Sequence, residues 1–121
     1  MDGELAEPII KAHTFKENLL DCPVTFHIIK MKDSLFIWIG DQGSFDSLAV
    51  AMPTPYDSQP ISSTIIGYSA DERSCSFASR LSKKIGKHVF ASYNLSRNDS
   101  NLMVVVTQRL MKEITEHPDK F

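Results

Sequence analysis

Residues 35–39 read Leu-Phe-Ile-Trp-Ile, an unbroken run of β-branched, aliphatic and aromatic side chains closed by Gly40. Successive side chains of a strand point to opposite faces, so a sheet built around this run needs apolar cover on both of them. Residues 102–106, Leu-Met-Val-Val-Val, make the same demand if that segment also starts as a strand. Both runs are far shorter than the ~20 apolar residues of a membrane span, and no membrane contact is expected. The constraint is therefore a sheet with two greedy faces in a chain of 121 residues. A chain of that length supplies one domain, 1–121, with 1–8 expected to be flexible.

Around that run the pattern is that of strands. Residues 24–31 alternate, with Val24, Phe26 and Ile28 on one side and Thr25, His27, Ile29 and Met31 on the other. Lys32-Asp33-Ser34 supplies a turn into 35–39, and 41–44 supplies another. Residues 48–52 form a short strand expected to stop at Pro53, followed by a proline-bracketed loop around Tyr56-Asp57-Ser58 and a strand at 61–66. Residues 9–20 read as a further strand. Ser69 and Glu72 have capping-box spacing, and Phe77, Leu81 and Ile85 then recur every four residues up to Gly86, which predicts a helix. Residues 87–95 return to alternation, with Val89, Ala91, Tyr93 and Leu95 opposite Phe90, Ser92 and Asn94. After the turn at 96–101, Val106, Leu110 and Ile114 keep helical spacing to His117 and Pro118. The expected fold class is α+β: a mainly antiparallel sheet of about six strands, two helices over one face, and the other face available for dimerisation. Either a second subunit covers that face or the sheet curls on itself as small barrels do; a second subunit is the more economical solution. Trp38 is expected to anchor the core.

Chemistry is sparse. His13, His27, His88 and His117 are scattered and read as structural, so no metal and no other cofactor is expected. Ser74-Cys75-Ser76 offers nucleophiles without a base, with Arg73 alone nearby. Gly40-Asp41-Gln42-Gly43-Ser44 lacks the lysine and the following helix of a phosphate loop. No catalytic residue is assigned, and an enzyme is not expected. A net charge of -2 argues against a nucleic-acid partner. The acidic start, without an apolar core, is no export signal, and Cys22 and Cys75 are expected to be reduced thiols of a cytoplasmic chain that can also be nuclear. One surface feature remains. Arg73, Arg80, Lys83, Lys84 and Lys87 form a basic stripe opposite Phe77 and Leu81, either a solvated helix face or a docking surface for an acidic protein.

Several strings taken in order carry a family resemblance. They are Asp33-Ser34-Leu35-Phe36-Ile37-Trp38-Ile39-Gly40, Leu48-Ala49-Val50-Ala51-Met52, Tyr56-Asp57-Ser58 and Pro60-Ile61-Ser62. Arg80-Leu81, Lys84, Lys87-His88-Val89-Phe90, Ser92-Tyr93-Asn94-Leu95, Asp99-Ser100-Asn101 and Pro118-Asp119-Lys120-Phe121 continue the series. From about Thr25 to the last residue the chain resembles the proteasome assembly chaperone 4 family. The resemblance implies a non-enzymatic chaperone that pairs with proteasome assembly chaperone 3. It also implies that the pair helps order α-type subunits into the heptameric ring of the proteasome core particle and leaves before maturation. A homodimer is expected when the partner is missing. Asp119-Lys120-Phe121 has no tyrosine at the penultimate position, so a folded surface rather than an inserted tail is the expected contact with α subunits. The competing class is a permanent small scaffold subunit of another cytosolic complex.

Overall fold

Alternation of buried and exposed side chains sets the sheet. The computed structural model describes residues 10–67, 72–96 and 100–121. Its strands are β1 (Lys11–Leu19), β2 (Cys22–Lys30), β3 (Ser34–Gly40), β4 (Leu48–Thr54), β5 (Asp57–Ile66) and β6 (His88–Asn94), with helices α1 (Arg73–Ile85) and α2 (Ser100–Glu116). A single 3-10 turn, Pro118–Lys120, follows α2. The expectations for residues 1–8, Ser69 and Asp99 lie outside the described residues.

The strands form one sheet in the order β1-β2-β3-β6-β4-β5. β1, β2 and β3 run as consecutive hairpins, β4 and β5 as another, and β6 joins the two sets, parallel to β3 and antiparallel to β4. A strand reached only after a helix can be inserted in this way, because the intervening α1 carries the chain back across the sheet. β1 and β5 are the two edges, so the sheet is open and does not cover itself by closure.

One face carries Val24, Phe26 and Ile28 of β2, Leu35, Ile37 and Ile39 of β3, and Val89 and Ala91 of β6, all buried. Both helices cover it. α1 contributes Phe77, Ala78 and Leu81, and the Phe77 ring stacks on Tyr93 at 5.1 Å between centroids. The helix ends where Gly86 turns left-handed (φ 70°) and gives its N–H to the Ser82 carbonyl, the position where glycine costs least. α2 contributes Leu102, Val106, Leu110 and Ile114, and Phe121 closes the same cluster.

Several expectations change. Residues 102–106 are helix and not strand: Leu102 and Val106 are buried four apart while Val104 points to solvent. The helical period that begins at Leu102 outweighs the local β preference of three valines. β4 runs through Pro53 to Thr54, because β6 pairs only with residues 49–51 and the β4–β5 register shifts between Met52 and Thr54. At such a shift on a strand's free side the missing proline N–H deprives no partner. The proline-rich loop shrinks to a tight turn at Pro55-Tyr56, with Asp57 already in β5. Glu72 sits at the N-cap of α1 but makes no side-chain cap bond. Trp38 is not a core residue. It lies half-buried on the opposite face, its indole against the Cα of Gly40, where an added Cβ would come within 2.5 Å of the ring.

Candidate functional site

The uncovered face is built by the residues that alternate with the core. Register places His27 beside Trp38, Ile29 beside Phe36, Phe36 beside Phe90, Phe90 beside Val50, and Met52 beside Ile61. Toward β1 this face is polar, with Thr14 hydrogen-bonded to His27 Nδ1 at 2.9 Å. Toward β5 it is apolar, and Ile61 is 61% exposed. The loop after β3 folds partly over its upper edge: Trp38 Nε1 donates to the Ser44 carbonyl at 3.0 Å, and Phe45 stacks on Phe36 at 6.2 Å. Beyond it the β4–β5 turn projects Tyr56, 94% exposed.

A buried polar network fixes the loop and the start of α1 relative to that face. Ser74 Oγ bonds Ser47 Oγ at 2.6 Å and accepts from the Tyr93 N–H at 3.0 Å. Ser92 Oγ donates to the Ser47 carbonyl, Asn94 Nδ2 donates to Ser92 Oγ at 2.7 Å, and Asp46 N–H donates to Asn94 Oδ1 at 2.8 Å. No buried side-chain nitrogen or oxygen among the described residues lacks a partner. The serines of Ser74-Cys75-Ser76 therefore divide between scaffold and surface, and Cys75 lies 3.2 Å from Thr64 Oγ1. Both cysteines carry thiols rather than a disulfide.

The structure splits the basic stripe. Arg80, Lys83 and Lys84 stand exposed and, with Met111 of α2, line an open groove of about 470 Å³. Arg73 turns away, its guanidinium 5.2 Å over the Tyr93 ring. Lys87 lies past the helix end and donates to the Phe121 carbonyl at 3.1 Å. Lys30 donates to the Asp119 carbonyl, so the segment 119–121 is folded onto the domain with the Phe121 ring buried.

Between β1 and α2 lies a second charged cluster that sequence reasoning missed. Glu113, only 4% exposed, accepts from Arg109 Nη1 at 2.9 Å and bonds His13 Nε2 at 2.7 Å; Arg109 Nε also donates to Glu17 at 2.8 Å. Burial opposes ionisation of Glu113, but hydrogen bonds from His13 and Arg109 and the charges of Arg109 and His117 outweigh it and hold the carboxyl below its ordinary value. Burial likewise opposes the Arg109 charge, and the two carboxylates more than compensate. Glu113 and Glu116 of α2 and His117 just past its end are spaced i, i+3 and i+4, within the helical spacing that the sequence carries from Val106 to His117, and their donor atoms lie within 4.8 Å of one another.

An open sheet with helices on one side leaves a broad apolar face on the other, and patches of that kind mark interaction modules. The model of the family described as Proteasome assembly chaperone 4 matches residues 23–95. The human Proteasome assembly chaperone 4 is 40% identical over 112 residues, 93% of this chain and 91% of that protein. The mouse protein of the same name is 39% identical over 116 residues, covering 96% and 94%. Among solved structures, a chain from a chaperone complex for yeast 20S proteasome assembly superposes with a TM-score of 0.66 over 93% of this chain and 97% of its own, at 12% identity, a likeness of fold. The chain belongs to the proteasome assembly chaperone 4 family. Among the described residues no helix is long and apolar enough to cross a membrane.

Proposed function

We propose that this chain is one half of a heterodimeric chaperone for the proteasome core particle. Its partner is proteasome assembly chaperone 3, and together they hold α-type subunits while the heptameric ring is ordered, leaving before the particle matures. Binding energy alone does the work: no cofactor and no bond-breaking step enter, and the setting is the cytoplasm, with the nucleus also accessible. The observation that carries this reading is the open face running from Phe36 and Phe90 through Val50 to Met52 and Ile61. The aromatic, aliphatic and methionine side chains there are of the kinds found in the apolar cores of obligate interfaces. Alone, the chain covers the same face with a second copy of itself.

Co-expression with proteasome assembly chaperone 3 of the same organism tests this. The parent chain should elute as a heterodimer, and alone it should sediment as a concentration-dependent dimer. Met52→Asp with Ile61→Asp, a cross-strand pair exposed on the open face, should still fold cooperatively, with a lower thermal midpoint because dimer stabilisation is lost and like charges face each other, and should abolish both associations. Retention of the heterodimer by this variant sinks the assignment of the face. Finding the chain in mature particles, or in another stable complex, favours a permanent scaffold role instead.

A further inference from the structure

We propose that the free edge of β5 is a strand-addition site for an extended segment of another protein, one that alternates acidic and apolar side chains. The two edges of the sheet are built differently. β1 is guarded: Lys11, His13, Lys16 and Glu17 are spread along it, and Glu113 and Arg109 of α2 bond His13 and Glu17. Charges and cover of this kind keep an edge from recruiting another strand. β5 lacks such guards. After Asp57 it carries no charged residue, and Pro60 removes one donor near its start. Ile61-Ser62-Ser63-Thr64-Ile65-Ile66 then forms an uncharged run, rich in β-branched side chains and mostly exposed, and among the described residues no strand pairs with its outer side.

The surroundings select the segment. Thr64 faces the helix layer, its Oγ1 3.2 Å from Cys75 Sγ near the start of α1. Beside them runs an open groove of about 480 Å³, with Gln59 and Ser62 on the strand wall and Ser79, Arg80 and Lys83 on the helix wall. Glu72 lines it at the helix start, so the basic character gathers further along α1. A strand laid against β5 sends alternate side chains into this groove, where acidic residues meet Arg80 and Lys83. The side chains between them point to the opposite face, beside Ile61 and Ile65, both more than half exposed, where apolar residues are favoured. Main-chain bonds supply the affinity and the two flanking surfaces choose the sequence, as in strand addition generally. The edge acts independently of the heterodimer proposed above, and its occupancy is read on this chain without the partner chaperone.

A fluorescein-labelled Val-Glu-Val-Glu-Val-Thr peptide amide should be titrated with the full chain at low salt and followed by anisotropy. Expected are saturation at one peptide per chain, weakening as salt rises, and slower hydrogen exchange of the amides in 61–66. The peptide Val-Lys-Val-Lys-Val-Thr should bind about tenfold more weakly, because its surface pairs with Arg80 and Lys83 change from attraction to repulsion. The glutamate peptide methylated at every backbone nitrogen should not bind, since it has no main-chain donors. Arg80→Glu with Lys83→Glu alters exposed residues, so this variant should fold and should invert the preference between the two peptides. Lys16→Glu, on the opposite edge, should bind as the parent does. Equal binding of the glutamate and lysine peptides, or binding that survives methylation, overturns the site. So does absence of binding; if Ser62→Glu then weakens self-association of the lone chain, a second copy occupies the edge instead.

Discussion

The two faces of this sheet are made from the same strands, yet they are packed by different rules. The helix-covered face carries mostly aliphatic residues and alanine, such as Ile28, Leu35, Ile37, Ala49 and Ala91, without solvent contact and interlocked with α1 and α2. The open face carries larger side chains, several with a polar handle: His27 bonds Thr14, Trp38 bonds the Ser44 carbonyl, and Phe36 is capped by Phe45. Filling a volume favours small aliphatics in close register, while a surface that must stay presentable before a partner arrives favours rigid rings whose edges find local hydrogen bonds. On the proposed pairing, apolar content on both sides of a strand marks two burial events, one within the chain and one between chains.

The largest effect belongs to the first event. Leu81 is fully buried where α1 meets the sheet, and Leu81→Ala should cost about 3–5 kcal/mol by loss of transfer energy and creation of a cavity. Denaturant melts read it directly. A loss under about 1 kcal/mol would mean that the helix layer is loosely attached and that the two faces are not so different.

Trp38→Ala asks the converse. Trp38 is half-buried on the open face, so its removal from the isolated chain should cost about 1–2 kcal/mol, below the Leu81 loss, and should release the loop that ends near Phe45. In the presence of the partner chaperone the difference between mutant and parent should grow, because the ring then loses contacts on its second side. A Trp38 effect equal to that of Leu81 in the isolated chain would erase the distinction between the faces.

Much of this was legible in the sequence because it is local. The alternation in 24–31 placed Val24, Phe26 and Ile28 together correctly, and Phe77, Leu81 and Gly86 fixed both the buried face and the end of α1. Tertiary choices were not. Nothing in residues 88–94 announces that they lie parallel to β3 and antiparallel to β4, since pairing is decided between segments roughly 54 and 40 residues apart in the chain. The β1–β2 turn is also silent: Leu20 and Asp21 both have positive φ, a turn that ordinarily advertises itself with asparagine or glycine. The three valines after Leu102 favoured a strand by local preference, although Leu102 extends the four-residue spacing of Val106, Leu110 and Ile114. The helix read from Val106 to His117 already held Glu113 and Glu116, but it said nothing of the His13 and Arg109 partners that bury Glu113, because those come from tertiary packing. Of the basic stripe, helical spacing grouped Arg80, Lys83 and Lys84 correctly, whereas Arg73 and Lys87 sit at or past the helix ends, where tertiary partners redirect them.

The smallest effect on stability, and the sharpest test of the outer surface, comes from the groove on the helix side. Arg80, Lys83 and Lys84 project into water beside Met111, so their charges contribute little to folding, each about 1 kcal/mol or less. Three cations around one apolar side chain nevertheless make a surface complementary to an acidic segment with a hydrophobic residue, such as an α subunit can present. Rim charges act on the rate of encounter more than on the final affinity, and salt screens them. Reversal of Arg80, Lys83 and Lys84 to glutamate should therefore leave the thermal midpoint and the pairing with the second chaperone nearly intact, because the open face lies on the other side of the sheet. The same triple variant should slow association of the pair with α subunits and flatten its dependence on ionic strength. Stopped-flow association at low and high salt, with variant and parent compared in the assembled heterodimer, measures both quantities. Unchanged rates at low salt mean that the groove is a solvated helix face and that the α subunits approach elsewhere. A loss of heterodimer in this variant would instead show that the two sides of the sheet are coupled through α1, which the separate packing of the faces argues against.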